Sequence, residues 1–143
     1  MQTPSEPKKI LIVKLGALGD VIMAEGCMRC VRQHYPDAHI TLITEPLYAR
    51  FMEVSPHLDA VLPYKRLSRW NFAHLWATKK TLLAQGFDLV IDMQNSSHSR
   101  RFQKWLGSAF ISSTSSRASA RYNRDASRRL ASRDYLAEQL ASI

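Results

Sequence analysis

Ile10-Leu11-Ile12-Val13-Lys14-Leu15-Gly16-Ala17-Leu18-Gly19-Asp20 is the stretch that decides the fold. A short apolar run rich in β-branched residues ends in a turn with two glycines and an acid. Val21-Ile22-Met23-Ala24 follows with no Gly or Pro until Gly26, so a helix is expected to start at or near Asp20. Strand, Gly-rich turn and helix is how α/β proteins bring backbone N–H groups and a helix N-terminus to a ligand. A phosphate cradle favours positive charge; here the turn carries a carboxylate instead. Asp20 reads in two ways. As a helix N-cap it would accept N–H bonds and answer the macrodipole. As a general base it would stay ionised at the helix N-terminus and take a proton from a hydroxyl nucleophile late in the reaction. The residues alone leave both open.

Outward from this stretch, 143 residues suffice for one domain with its own core, and 45% apolar residues are ordinary for a globular chain. Lys14 interrupts the first apolar run, far short of the ~18 residues that span a bilayer and too early for a signal-peptide core. Two cysteines, Cys27 and Cys30, cannot build a disulfide scaffold, so a reduced, cytoplasmic setting is expected. The net charge of +8 is the compositional outlier. From Arg100 onward nine Lys/Arg face only Asp125, Asp134 and Glu138. That balance fits an anionic partner (nucleic acid, phosphorylated lipid or an anionic membrane) or simply a solvated basic surface.

Hydrophobic spacing then lays out the chain. Residues 1–9 read as a flexible tail and Ile10–Leu15 as a strand apolar on both faces. The helix from Asp20 to His34 sets Val21, Ala24, Cys27, Met28 and Val31 on one side. His39–Thr44 is a second strand, Pro46 opens a short helix with Leu47, Phe51 and Met52, and Val61-Leu62 is a third strand closed by Pro63. After the basic loop Lys65–Arg69, a helix over Trp70–Gln85 carries Phe72, Leu75, Trp76, Leu82 and Leu83 and stops at Gly86. Asp88–Asp92 is the fourth strand, Arg100–Leu106 a helix, and Ala109–Ile111 a fifth strand. Ser112–Ser127 has no period and reads as a long loop, and Ala131–Ile143 as a closing helix. Strands alternating with helices predict an α/β fold: a mostly parallel Rossmann-like sheet with helices on both faces. In such sheets ligands sit at the strands' carboxyl ends. That rule gathers Gly16–Asp20, Thr44-Glu45, Lys65–Arg69 and Asp92–Asn95 on one edge, a mixture of acids, amides and bases.

Several familiar motifs are absent or out of place. The glycine turn lacks the third glycine of the dinucleotide fingerprint, although Thr44-Glu45 stands where that motif carries its acid, so a nicotinamide-binding Rossmann domain stays open. No Gly-Lys-Ser/Thr makes a P-loop. Cys27-Met28-Arg29-Cys30 lies two turns into a helix rather than at its N-terminus, and no second cluster completes a zinc site, so buried structural thiols are expected. No metal ligands are assigned. Lys65, Arg66 and Arg69 read as an anion clamp or a solvated loop. Asp92-Met93-Gln94-Asn95 reads as an Asx turn or a sugar-hydroxyl contact.

Together, Ile10–Ile22, Arg32–Leu42 and Phe87-Asp88-Leu89-Val90-Ile91-Asp92-Met93-Gln94 resemble the amino-terminal domain of glycosyltransferase family 9, the bacterial ADP-heptose:lipopolysaccharide heptosyltransferases. The Lys-x-x-x-x-Gly-Asp start after an apolar strand is its most specific element. Gly26 departs from the pattern, since many members carry proline there. The resemblance implies the amino-terminal half of a two-Rossmann (GT-B) enzyme that inverts the anomeric centre without a metal or other cofactor. Asp20 would be the catalytic base. Lys14, Gly16, Gly19, Lys65, Arg66, Arg69, Asp92, Gln94 and Asn95 would bind the acceptor. The implied partners are the lipopolysaccharide inner core, ADP-heptose held by a carboxy-terminal domain that 10–143 does not include, and the inner membrane as a peripheral contact, with no nucleic acid. On that view the chain alone is inactive. A stand-alone basic module that binds an anionic glycolipid or RNA without catalysis is the competing expectation.

Overall fold

The computed structural model describes residues 4, 6–114, 118–122 and 132–143. Eleven elements follow one another: β1 (Lys9–Val13), α1 (Leu18–His34), β2 (His39–Thr44), α2 (Pro46–Met52), β3 (Ala60–Pro63), α3 (Phe72–Gln85), β4 (Leu89–Asp92), α4 (Ser99–Trp105), β5 (Phe110–Ser113), β6 (Ala120–Arg121) and α5 (Ser132–Leu140). The strands form one sheet in the order β3-β2-β1-β4-β5-β6, every neighbour parallel. The expected α/β architecture is therefore the observed one.

Period-two alternation divides the core into two layers. Ile10, Ile12, Ile40, Leu42, Leu89 and Ile91 face Val21, Ala24 and Met28 of α1, Met52 of α2 and Leu136 of α5. Leu11, Val13, Ile43, Val90 and Ile111 face the other way, onto Leu82 of α3 and Phe102 of α4. A strand covered on both sides has no polar position to offer, which is why β1 and β4 read as continuous apolar runs. Each fully buried Ile or Leu contributes about 1.5–3 kcal/mol, so truncating Ile12 to Ala would cost roughly 2–5 kcal/mol.

The helix ends follow local chemistry. Asn71 caps α3, its Oδ1 accepting the His74 amide at 3.1 Å, and Gly86 closes it at φ 64°, a conformation glycine adopts without penalty. The cap places the start of α3 two residues after the expected Trp70. Helix α1 begins at Leu18, also two residues from the sequence expectation, because Ala17 already accepts the Val21 amide at 2.9 Å. Asp20 is thus inside the first turn and is not the N-cap.

Three further expectations are corrected. The tail is tied down before residue 10: the Lys8 and Lys9 amides both donate to Asp88 Oδ2 at 2.9 Å, and Lys9 is already in β1. Residues 1–3 and 5 lie outside the described set. The segment 112–127 is not one loop, since Ser112 and Ser113 end β5 and Ala120–Arg121 pair with them as β6. A two-residue strand is too short to show alternation in sequence; the rest of that segment, 115–117 and 123–127, lies outside the described residues. Of the two thiols, Cys27 is buried and Cys30 exposed.

Candidate functional site

The strand order reverses between β1 and β4: β2 and β3 extend the sheet to one side of β1, β4 to β6 to the other. At such a switch point the loops after the two strands diverge and leave a crevice at their carboxyl ends. A cavity of about 290 Å³ lies there. Lys14, Gly16 and Asp20 line it from the β1 side, Gln94 and Asn95 from the β4 side. Tyr122, Tyr135 and Gln139 close it from β6 and α5.

The two loops are fastened to each other by one amide. Gln94 Oε1 accepts the Leu15 N–H at 3.0 Å and the Gly16 N–H at 3.4 Å. Gly16 is required by crowding, since a Cβ there would stand 2.9 Å from Tyr48 Cε2. Asn95 holds φ 50°, a left-handed conformation that asparagine tolerates better than most residues. Its side chain donates to Gln139 Oε1 at 2.8 Å and accepts the Thr114 amide at 2.9 Å. Gln139 in turn donates to the carbonyls of Asp92 and Ser112. One buried glutamine on the closing helix therefore connects β4, β5 and the site loop.

Two ionisable groups are buried near the switch point, and only Lys14 lines the cavity. Lys14 is only 6% exposed and donates from Nζ to the Met93 carbonyl at 3.2 Å. Burial lowers its pKa, opposed by the nearby charges of Asp20 and Asp92. Asp92 is fully buried, and burial raises its pKa against hydrogen bonds from Ser99, Asn95, Gln103 and Gln94. Its Oδ1 accepts the Gln94 and Asn95 amides at 3.0 and 2.8 Å. The expected sugar contact from Asp92 is thus corrected: the carboxylate lies beneath the loop and shapes it, away from the cavity. Asp20 differs. It is partly exposed, and among the described residues its carboxylate accepts no hydrogen bond.

The basic loop is not drawn into this cavity. Arg66 pairs with Glu45, the residue after β2. Lys65 meets His74 Nε2 through its carbonyl at 2.9 Å, and Arg69 lies 5.2 Å from the centre of the Trp70 ring. Arg66 is linked to the glycine turn through its partner Glu45, whose Oε2 would stand 3.6 Å from a Cβ on Gly16. Gly19 is exposed in the first turn of α1, open on its Cβ side and outside the cavity lining. The sequence reading missed Tyr122, Tyr135 and Gln139. The spacing of Tyr135, Leu136 and Gln139 was the available signal, a glutamine on the buried stripe of a helix.

Among the described residues no group of three or more His, Cys, Asp or Glu side chains could hold a metal ion, and no helix is long and apolar enough to cross a membrane.

No family model matches the chain. Over 89 residues it is 28% identical to the lipopolysaccharide core heptosyltransferase OpsX of Haemophilus influenzae, a stretch covering 62% of this chain and 24% of that protein. The fold recurs in a glycosyl transferase family 9 structure from Veillonella parvula, with TM-score 0.84, 20% identity, and coverage of 96% of this chain and 41% of that one. It recurs in E. coli ADP-heptose lps heptosyltransferase II (TM-score 0.74, 17% identity, 92% and 40% covered) and in E. coli heptosyltransferase WaaC with ADP (TM-score 0.71, 20% identity, 93% and 46% covered). The chain spans less than half the length of each of these proteins. The chain thus shares the parallel α/β fold of these solved structures and, over 89 residues, sequence similarity with a lipopolysaccharide core heptosyltransferase.

Proposed function

We propose that this chain is the acceptor-binding half of an inverting glycosyltransferase that moves heptose from ADP-heptose to the lipopolysaccharide inner core, with Asp20 as general base. The observation that carries the reading is the contrast between the two acids at the switch point. Asp92 is buried and hydrogen-bonded, whereas Asp20 lines the cavity and, among the described residues, its carboxylate accepts no hydrogen bond. In the proposed step an acceptor hydroxyl attacks the anomeric carbon from the face opposite the nucleotide. The new C–O bond forms as the bond to the diphosphate oxygen breaks and ADP departs with the electron pair. The hydroxyl proton passes to Asp20. The carboxylate sits in the first turn of α1, with the Lys14 side chain nearby in the same cavity.

Lys14, Gly16, Gln94 and Asn95 would shape the pocket around the acceptor sugar. Arg66 and its neighbours Lys65 and Arg69 would face acidic groups further out along the acceptor. The donor would be held by a second domain such as the longer relatives have room for, so the 143 residues alone would bind acceptor but not turn over donor.

Calorimetric titration with a lipid A fragment carrying its inner-core sugar acids tests the first half of the reading. Binding is expected, and Asp20→Asn should retain it. In the protein that pairs this chain with a donor domain, the same variant should lose roughly 10²–10⁴-fold in transfer rate. Absence of acceptor binding, or full activity in Asp20→Asn, overturns the proposal.

A further inference from the structure

Helices α3 and α4 cover the same side of the sheet, where Leu82 and Phe102 enter the core, and a groove of about 1250 Å³ lies between them. Phe72 and Trp76 line it from α3, although they are 67% and 65% exposed on a helix that buries only Leu82. The deeper lining is aliphatic: half-buried Leu75, then Ala109 and Ile111, both buried on the sheet side.

Charge along this groove has one sign. Lys79 of α3, Arg100, Arg101 and Lys104 of α4 and Arg121 of β6 line it, with no acid among them. From residue 60 to residue 121 the only acids are Asp88 and Asp92. Asp88 accepts the Lys8 and Lys9 amides and Asp92 is buried, so neither answers these cations. Arg101 is the most exacting of the five: its Nη1 is buried and, among the described residues, has no hydrogen-bond partner. A guanidinium nitrogen withdrawn from water without an acceptor costs free energy that an incoming carboxylate would recover.

We infer that the groove between α3 and α4 receives an acidic amphipathic helix of a partner protein. Its aliphatic stripe would rest on Leu75, Ala109 and Ile111, and its flanking carboxylates would meet the cations of α3 and α4. The dimensions agree. A helix about 10 Å across fills roughly 420 Å³ per turn, so the groove takes about three turns, whereas small-molecule sites enclose ~300–1,000 Å³. A nucleic-acid strand fits less well, because base stacking needs an open indole face and the Lys80 ammonium lies 5.1 Å from the centre of the Trp76 ring. The docking does not depend on glycosyl transfer, since neither α3 nor α4 contributes a residue to the Asp20 cavity.

Fluorescence anisotropy with a labelled peptide of about 18 residues, long enough to hold a helix, tests it on the 143-residue chain. The probe carries leucines at i, i+3, i+4 and i+7 spacing with glutamates on both flanks; a second peptide has the same composition in scrambled order. The patterned peptide is expected to bind, more weakly as salt rises, and to gain helical circular dichroism as it does. R100E/K104E should weaken binding by about tenfold or more, and W76A by about tenfold. R29E/R50E makes the same change of net charge on α1 and α2, away from the groove, and should leave the affinity unchanged. All three variants should keep the wild-type urea midpoint, since the replaced side chains are exposed. No binding overturns the inference, as does equal binding of the scrambled peptide, binding without a gain of helix, or an equal loss in R100E/K104E and R29E/R50E. Poly(U) binding that R100E/K104E and W76A abolish, with no binding of the patterned peptide, would assign the groove to nucleic acid and would equally overturn it.

Discussion

Gln94 Oε1 accepts the Leu15 amide at 3.0 Å, so the turn after β4 holds the turn after β1. Every cavity-lining group from the first 100 residues belongs to one of these two turns or to the helix that the first one starts. Gln94→Leu removes the acceptor and leaves a buried N–H without a partner, at a cost of about 1–3 kcal/mol. Urea unfolding should show that loss, and acceptor affinity should fall with it.

Lys14 is a buried cation with one hydrogen bond to a carbonyl. Replacing a poorly compensated buried charge by an apolar side chain of similar length is often neutral or stabilising. Lys14→Met should therefore unfold at the same or higher urea concentration at neutral pH. The direction with pH follows from the lowered folded-state pKa. Between that value and the ordinary lysine value the unfolded chain holds the proton more tightly, so wild-type stability rises with pH through the window. Any advantage of Lys14→Met should shrink as the solution is made alkaline.

Asp92 shows the opposite sign. Its folded-state pKa is raised, so below the ordinary aspartate value both states are protonated and the stabilising linkage is fully present. As pH climbs through the raised value that contribution is lost. Asp92→Asn keeps an oxygen for the Gln94 and Asn95 amides. Rotating the Gln103 amide would let its Oε1, now without a partner, accept from the new NH₂. The variant should match or exceed wild-type stability at neutral pH and flatten the acid limb of the stability profile. Asp92→Leu, which strands both amides, should lose roughly 2–4 kcal/mol.

Gly16 and Gly19 separate packing from function. Gly16→Ala places a Cβ against the Tyr48 ring and should cost about 1–3 kcal/mol, recovered in part by Tyr48→Ala. Gly19 is helical with nothing within 4 Å of a Cβ, so Gly19→Ala should stabilise by about 0.4–1 kcal/mol. Differential scanning calorimetry of the two variants checks the contrast. A loss of acceptor binding in Gly19→Ala, against its gain in stability, would then report contact with ligand.

Much of the site was legible because its parts are local. Ile10–Asp20 carries strand, turn and helix start in eleven consecutive residues, and Asp92–Asn95 closes a strand with its own hydrogen-bonding side chains. The rule that ligands gather at strand carboxyl ends then brought the two together. The same rule placed Lys65–Arg69 on that edge, but it does not fix lateral position. Strand β3 is an edge strand, three places from β4 in the order, and Arg66 is held by Glu45. Tyr122 was illegible for the converse reason, since it follows β6, which is only two residues long; the spacing of Gln139 put it on a buried helical stripe, but not which cavity a helix packed on α1 would bring it to.

The amino-acid order by itself determined the elements and their alternation, because apolar period and turn chemistry act over a few neighbours. It also determined that a carboxylate would follow the glycine turn. Only the tertiary structure decided which of two acids is free. Burial and hydrogen bonds from residues 2 to 11 positions away immobilise Asp92, while the strand-order reversal between β1 and β4 leaves Asp20 at an open crevice. The same holds for α3. Its helical spacing is that of a core element, and the side it exposes was settled by where Phe102 and the sheet could pack against Leu82.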